Sequence, residues 1–284
     1  MTLLEQSTYF ADHSELSDPK KYQSLFEGLP KDVGQLSRII QGLMIHDYFG
    51  PHLYGVPSPS FHLASRQTLP ISKRICAILS DNNQPISSAR KPSERAVGTC
   101  RDFALMLCAM LRQHSIPARV RCGFAMYFHP PSYEDHWVCE YWKTDCQRWA
   151  IADAQLDETH QTYLSVDFDT TDVPQGQFFF PYRAWHMCRS STANPANFGH
   201  GDDTGAWFIQ VNLARDLLSL FKHEVSIWDT WRDSQEENRA LDNQTELHCD
   251  QIAAISETVS RGLDPRDQCS SPIVASLSIP PWQR

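Results

Sequence analysis

Residues 100–113 constrain the fold of this chain more than any other stretch. They read Cys-Arg-Asp-Phe-Ala-Leu-Met-Leu-Cys-Ala-Met-Leu-Arg-Gln, which is apolar on almost every side of a helix. Such a helix is expected to be covered on all sides by other elements. Gly98 and Thr99 precede it as a turn and an N-cap, and Pro117 follows its end. The sequence therefore predicts a buried helix around which the rest of the chain packs.

Three strand-like segments follow this helix. Apolar side chains alternate with a period of two in residues 119–128, and residues 136–142 are rich in β-branched and aromatic side chains. Residues 148–155 form the third segment, and a turn near residue 145 would place His136 opposite residue 154, next to Asp153. One buried helix followed by an antiparallel meander indicates an α+β fold.

The remainder of the chain carries weaker signals. Helical spacing of apolar residues predicts helices over residues 33–49, 71–79 and 212–224. Residues 50–60 are rich in Pro, Gly and Ser and predict a loop, and residues 156–206 predict mostly irregular structure.

Composition narrows the class of protein. The formal net charge is −9, from 34 acidic and 25 basic residues, which argues against nucleic-acid and anionic-membrane surfaces as partners. Residues 103–111, the longest apolar run, are too short to span a bilayer, and residues 1–16 lack the features of a secretory signal. The nine cysteines are odd in number and scattered through apolar segments, which is typical of reduced thiols. We expect a cytoplasmic protein.

We expect neither a metal nor an organic cofactor. The chain has no Cys-x-x-Cys pair and no His/Cys cluster with the spacing of zinc ligands. The acidic residues Asp167, Asp169 and Asp172 fit a solvated loop better than a metal site.

Cys100 differs from the other cysteines in its position. A thiol becomes a good nucleophile as the thiolate, which a helix N-terminus stabilises. Cys100 stands at the predicted helix start, whereas Cys108 and Cys122 lie inside apolar elements and are expected to be inert. The alternative is that Cys100 is a buried structural residue.

A nucleophilic cysteine needs a base, and the base needs an orienting group. The predicted strand pairing makes His136 the candidate base and Asp153 the candidate orienting residue. The alternatives are a strand-end histidine capped by Glu134 or Asp135, and a turn carboxylate at residue 153.

A set of segments, taken in order, resembles the transglutaminase-like superfamily, which is related to papain-type cysteine proteases. The resemblance covers about residues 95–157. The surrounding chain also resembles a bacterial group of transglutaminase-like proteins. The resemblance to the superfamily rests on Gly98-Thr99-Cys100-Arg101-Asp102-Phe103-Ala104, Leu111-Arg112, Ile116-Pro117-Ala118-Arg119, Gly123, His136-Trp137, Arg148-Trp149 and Asp153. The resemblance implies a papain-like α+β fold with Cys100 as nucleophile, His136 as base and Asp153 as orienting residue.

The resemblance also implies a reaction class. We expect acyl transfer through a thioester on Cys100, with hydrolysis or formation of an amide bond on a small molecule or a peptide. The backbone N–H of Cys100 is one candidate oxyanion donor. The chain has no room for the extra β-domains of animal-type transglutaminases, so the resemblance does not imply protein cross-linking. The alternatives are a non-catalytic binding module that keeps this fold, and a thiol that serves other chemistry on a small metabolite.

The domain prediction follows from these expectations. We predict one transglutaminase-like catalytic domain over residues 1–262, with core motifs in 95–157 and a C-terminal elaboration over 158–262. Residues 263–284 are rich in Pro and Ser and predict a flexible tail. The oligomeric state stays open.

Five further residues are candidate substrate contacts. Arg101 and Asp102 would bind a substrate charge or pair with each other, and Trp137 would line the site or fill the core. Arg183 and Trp185 belong to an aromatic segment that would line a substrate cleft or pack in the core.

Overall fold

The computed structural model describes residues 8–56, 69–81, 83–227 and 240–277. In chain order, the α-helices of these ranges are α1 Ser24–Glu27, α2 Val33–Leu43, α3 Phe49–Tyr54, α4 Ile71–Asp81, α5 Cys100–Gln113, α6 Glu158–Leu164, α7 Pro181–Arg189, α8 Ala206–Leu220, α9 Asn243–Ser260 and α10 Pro272–Ser276. The strands are β1 Met44–His46, β2 Ala96–Gly98, β3 Ala118–Ala125, β4 Tyr133–Lys143, β5 Arg148–Ala152, β6 Phe178–Phe179, β7 Phe198–His200 and β8 Asp203–Thr204. The protein has the predicted α+β fold.

Strand pairing gives two sheets. β1 and β2 form a parallel pair, and the larger sheet has the order β6-β3-β4-β7-β8, with β5 also paired to β4. The chain divides into two compact units that interleave along the sequence. Unit 1 comprises Met1–Tyr9, Arg121–Trp137 and Pro174–Arg284, and unit 2 comprises Phe10–Val120 and Val138–Val173. The single catalytic domain expected from the sequence stays a prediction.

Helix α5 is the centre of unit 2. Every residue from Cys100 to Arg112 is buried, as the apolar composition of this segment predicts. Helices α1, α2 and α4 pack against it. Thr99 is the N-cap, and the Asp102 carboxylate accepts a hydrogen bond of 2.8 Å from the Thr99 backbone N–H. The start of α5 is thereby fixed at Cys100.

The β1–β2 pair leads the chain into this helix. His46 is the register partner of Gly98, and Gly98 comes two residues before Cys100. A Cβ atom at Gly98 would lie 2.7 Å from Met44 Cε and 3.1 Å from Asp102 Cβ. A side chain at this position would have to displace the Met44 methyl group and the Asp102 side chain, because strand and helix approach each other closely.

The β4–β5 hairpin has a register one residue away from the predicted one. Cys139 pairs with Ala152 and Lys143 with Arg148, so the predicted pairing of His136 with residue 154 corresponds to residue 155 in this register. The reason is the four-residue connection 144–147, in which Gln147 adopts a left-handed conformation with φ of 48°. The turn is centred between residues 145 and 146 instead of on residue 145.

Unit 1 is built on helices α7, α8 and α9, which pack on one another. A fully buried ion pair lies beneath α8, where Arg121 donates two hydrogen bonds of 2.8 Å to Asp216. The Arg121 guanidinium also lies 3.8 Å from the ring centre of Phe180. This pair connects strand β3 to helix α8 within the unit.

Several sequence predictions are wrong in their bounds. The helix expected over residues 33–49 ends at Leu43, because Met44 begins β1 and pairs with Ala96, a partner distant in sequence. The loop expected from residue 50 contains α3 as far as Tyr54, and its remainder from residue 57 lies outside the described residues. Residues 156–206, expected to be mostly irregular, contain α6 and α7. Of the expected tail, residues 263–277 include a 3-10 helix and α10.

Candidate active site

Cys100 is the first residue of α5, as predicted, and it is 8% exposed. The first backbone N–H groups and the positive end of the helix dipole lie next to a side chain at this position. Both favour a negative charge on the sulfur atom and on an oxygen atom that develops charge beside it. This position gives Cys100 the surroundings of a nucleophile.

Charged residues at the start of α5 add to this electrostatic field. Arg74 of α4 lies 2.9 Å from the Asp102 carboxylate, and Arg101 lies 3.3 Å from it. All three side chains are almost completely buried, and Arg101 also donates to the Leu69 carbonyl. Two guanidinium groups thus lie against the carboxylate at the start of α5, one from Arg101 of the helix itself and one from Arg74 of α4.

Four of the eight other thiols in the described residues are disfavoured as nucleophiles. Burial raises the pKa of Cys122 and of Cys139 well above the usual range. Burial also raises the pKa of Cys188 to about 11 and that of Cys249 to about 12. These four thiols stay protonated near neutral pH. The exposed cysteines are Cys76, Cys146 and Cys269.

His136 lies on β4 in unit 1 and is 2% exposed. Two aromatic rings pack against its imidazole in T-shaped contacts. The ring centres lie 4.8 Å apart for Phe128 and 6.0 Å apart for Tyr127. These contacts hold the imidazole in one orientation and keep water away from that side of it.

The acidic residues that precede His136 are engaged elsewhere. Glu134 forms an ion pair with His200, which raises the pKa of that histidine. Asp135 accepts a hydrogen bond of 2.8 Å from Asn212 and lies 3.7 Å from Arg215. The alternative in which Glu134 or Asp135 caps His136 stays untested by these contacts.

Asp153 follows β5 in unit 2 and is 2% exposed. Its backbone N–H donates to the Thr170 carbonyl at 2.8 Å, and its Oδ1 accepts a hydrogen bond of 3.1 Å from the Gln155 N–H. The backbone and the carboxylate of Asp153 are thus both held in place. Such fixing is what an orienting residue requires.

The candidate substrate residues have different surroundings. Arg101 and Asp102 pair with each other, which is one of the two interpretations from the sequence. Trp137 is 1% exposed, and its Nε1 has no hydrogen-bond partner among the described residues. Arg183 is exposed on α7, whereas the buried Trp185 donates to Asp250 of α9 at 2.7 Å. A substrate contact by these five residues stays a prediction.

The sequence analysis missed two groups of residues. Arg74 gives no local signal, because its partner Asp102 is distant along the chain. Tyr54, Asp157 and His160 form a hydrogen-bonded cluster in unit 2. The Asp157-x-x-His160 spacing is a signal that could have identified part of it, since residues three apart meet on one helix face.

The described residues contain no group arranged to hold a metal ion and no helix that could span a membrane. Within the described ranges, no group of three or more His, Cys, Asp or Glu side chains is arranged to hold a metal ion. None of the helices described combines the length and the apolar character needed to cross a bilayer.

Comparison with known proteins finds similarity over part of the chain. Residues 58–154 match the family model of the transglutaminase-like superfamily. A search of curated proteins found no relative of this chain. Among solved structures, a candidate cysteine protease from Cytophaga hutchinsonii matches with 20% identity and a TM-score of 0.36, over 61% of this chain and 44% of that protein. The chain thus spans less than half the length of that structure.

Proposed function

Residues 58–154 of this chain are a core of the transglutaminase-like superfamily, and from this premise we propose that the protein is a cysteine enzyme that transfers acyl groups through a thioester on Cys100. His136 is the base in this proposal, and Asp153 orients it. The substrate is a small molecule or a peptide with an amide bond that is cleaved or formed.

The position of Cys100 is the observation that carries the proposal. It begins a capped, buried helix, with Arg101 and Asp102 in the first turn and Arg74 of α4 paired with Asp102. A thiolate at this position is stabilised by the positive end of the helix dipole. A structural cysteine gains nothing from these surroundings, because an uncharged thiol does not need them.

The pairing of His136 with Asp153 is part of the same proposal. The β4–β5 ladder ends at the pair Cys139–Ala152, and Asp153 is the residue that follows it.

The reaction follows from these roles. The Cys100 thiolate attacks the carbonyl carbon of the substrate amide, and a carbon–sulfur bond forms as the amine leaves with a proton from His136. The backbone N–H of Cys100 stabilises the oxyanion. Water or an amine then attacks the thioester, gives its proton to His136 and releases the thiolate. The product is a carboxylate after attack by water and a new amide after attack by an amine.

Two other functions compete with this proposal. A binding module with the same fold does not need a reactive thiol, so the charged residues near Cys100 favour an enzyme over a binding module. Non-hydrolytic chemistry of the thiol on a metabolite keeps the same nucleophile and differs in the fate of the adduct. The same experiment separates all three.

Intact-mass analysis after incubation with cell extract is the test. We expect a mass adduct on the wild-type protein that hydroxylamine removes, because hydroxylamine cleaves thioesters. Cys100→Ala should lose the adduct, and Cys146→Ala, which removes an exposed cysteine, should retain it. The absence of any adduct in wild-type protein would favour the binding module, and an adduct resistant to hydroxylamine would favour other thiol chemistry.

A further inference from the structure

A small cavity in unit 2 lies beside the segment that carries Cys100. Phe103, three residues after Cys100 on α5, lines the cavity, and so does His46, which pairs with Gly98 in the β1–β2 ladder. The cavity volume is about 10 Å³. This is the size at which a cavity accommodates one water-sized group.

The tautomer of His160, at one wall of this cavity, follows from its hydrogen bonds. Its Nδ1 lies 2.8 Å from Oδ1 of Asp157, whose carboxylate also accepts from the His160 backbone N–H and the Tyr54 hydroxyl. Burial raises the pKa of Asp157, but these hydrogen bonds outweigh it and lower the pKa to about 2. The carboxylate accepts, so Nδ1 of His160 carries a proton, and in the imidazole form with that tautomer Nε2 is an acceptor.

Two polar atoms at the cavity lack partners. The described residues offer no hydrogen-bond donor to Nε2 of His160 or to Oε1 of Gln155. Both residues line the cavity, and they are 3% and 2% exposed. Buried polar atoms are normally hydrogen-bonded, and each exception calls for an explanation such as a ligand. Two acceptors around a space of this size fit one group that donates hydrogen bonds.

One side of the cavity lies at the protein surface. Tyr54, Asp157 and Arg95 line it and are each partly exposed. The Arg95 guanidinium lies 5.7 Å from the centre of the Tyr54 ring. A ligand whose end occupies the cavity therefore has a path outward past these two side chains.

We propose that this cavity binds the hydroxyl or amino group at the end of an acyl acceptor, with His160 Nε2 and Gln155 Oε1 as hydrogen-bond acceptors. Asp157 and Tyr54 are positioning residues, since they hold the imidazole in the tautomer that accepts. The identity of the ligand as acyl acceptor rests on the proposed function of Cys100. Binding of the group itself does not require the thiol.

Binding is tested on Cys100→Ala protein with ¹⁵N-labelled histidine, in which the imidazole nitrogens are followed by NMR. Ethanol and ethylamine are the two probes, and acetonitrile, which has no donor, is the control. We expect the Nε2 resonance of His160 to shift saturably with ethanol, with ethylamine or with both, and not with acetonitrile. The probe that saturates at the lower concentration identifies the hydroxyl or the amine.

A matched pair of variants makes the test specific. Gln155→Leu should weaken binding of the probe about tenfold, on the scale of one lost hydrogen bond. Gln161→Leu is the control, because the Gln161 carboxamide donates to the Leu156 carbonyl and does not line the cavity. The proposal would be overturned if no probe shifted the Nε2 resonance, or if the probe bound to Gln155→Leu as tightly as to the protein with Gln155. The cavity would then be a site for water. Because Cys100 is absent from this experiment, its outcome is independent of the adduct test.

Discussion

Replacement of Asp102 with Asn separates the two roles of the charges at the start of α5. The Asp102 carboxylate caps the helix and pairs with Arg74 at 2.9 Å, so it stabilises the fold. It also places a negative charge near Cys100, which disfavours a thiolate. We therefore expect Asp102→Asn to lower the stability of the fold but to increase the reactivity of Cys100, which should become reactive at a lower pH.

The size of each effect can be worked from the contacts. Two unit charges about 4 Å apart interact by about 4 kcal/mol at an effective dielectric constant of about 20, and the interaction weakens with distance. The guanidinium groups of Arg74 and Arg101 already offset part of the Asp102 charge. A downward shift of about 0.5 to 1 pH unit in the alkylation profile of Cys100 is the result. Breaking the buried pair costs about 3 kcal/mol of unfolding free energy.

The assay is the rate of iodoacetamide alkylation of Cys100 between pH 5 and 9, with urea unfolding in parallel. Thr99→Val is the control, because it removes the hydroxyl that donates to Asp102 at 3.2 Å and keeps the charge. It should cost about 1 kcal/mol and leave the profile in place. A profile for Asp102→Asn that moves to higher pH, with the protein folded, would refute the electrostatic reasoning.

Three further predictions concern the rest of the chain. Cys188 and Cys249, with pKa values of about 11 and 12, should alkylate slowly up to pH 9. The stability that their protonated state provides is complete below the pKa of an unfolded thiol and declines as the pH rises from about 9 toward these values. An unfolding free energy that does not change between pH 8 and 11 would contradict this. Gly98→Ala should cost about 1 to 3 kcal/mol by urea unfolding, because the added Cβ would meet Met44 and Asp102; an unchanged midpoint would show that the strand–helix approach can relax. Activity should survive EDTA, since thioester chemistry at Cys100 needs no metal; loss on chelation and recovery with an added metal ion would reverse this expectation.

Local patterns were enough to predict the central elements of the fold. Helix α5 is recognisable because its composition, its N-cap and Pro117 all act within a few residues. The β4–β5 hairpin is recognisable because its strands are adjacent in sequence, and its register was off by one residue because the conformation of Gln147 is not readable from its residue type.

The sequence could not predict features that depend on distant partners. The helix ending at Leu43 was predicted too long, since helical periodicity continues into residues that pair with β2 instead. Helix α9 was missed, and it packs on α7 and α8. Its weak amphipathic pattern carries little information about a packing decided by tertiary contacts.

The residues of the candidate site also differ in whether local sequence patterns could predict them. Cys100, His136 and Asp153 were chosen from residue type and order. Cys100 lies at the expected helix start, whereas β4 begins at Tyr133, before His136, and β5 ends at Ala152, before Asp153. Arg74 could not be chosen, because its importance comes from a contact with Asp102, which is distant along the chain. His160 was missed although its spacing from Asp157 is a local signal.

The central claim is that Cys100, His136 and Asp153 act as one unit, and the most direct test is the alkylation rate of Cys100 from pH 5 to 9 in three proteins. In the wild type, Cys100 should react fastest of the nine cysteines. His136→Ala should abolish its reactivity near neutral pH, with turnover reduced by about 10³-fold or more once a substrate is known. Asp153→Asn should cause a smaller loss, about 10- to 10³-fold, because it keeps a carbonyl acceptor but favours the wrong tautomer. If both variants remain folded in thermal melts and Cys100 keeps its wild-type profile, the three residues do not form a catalytic unit and the binding module becomes the better account.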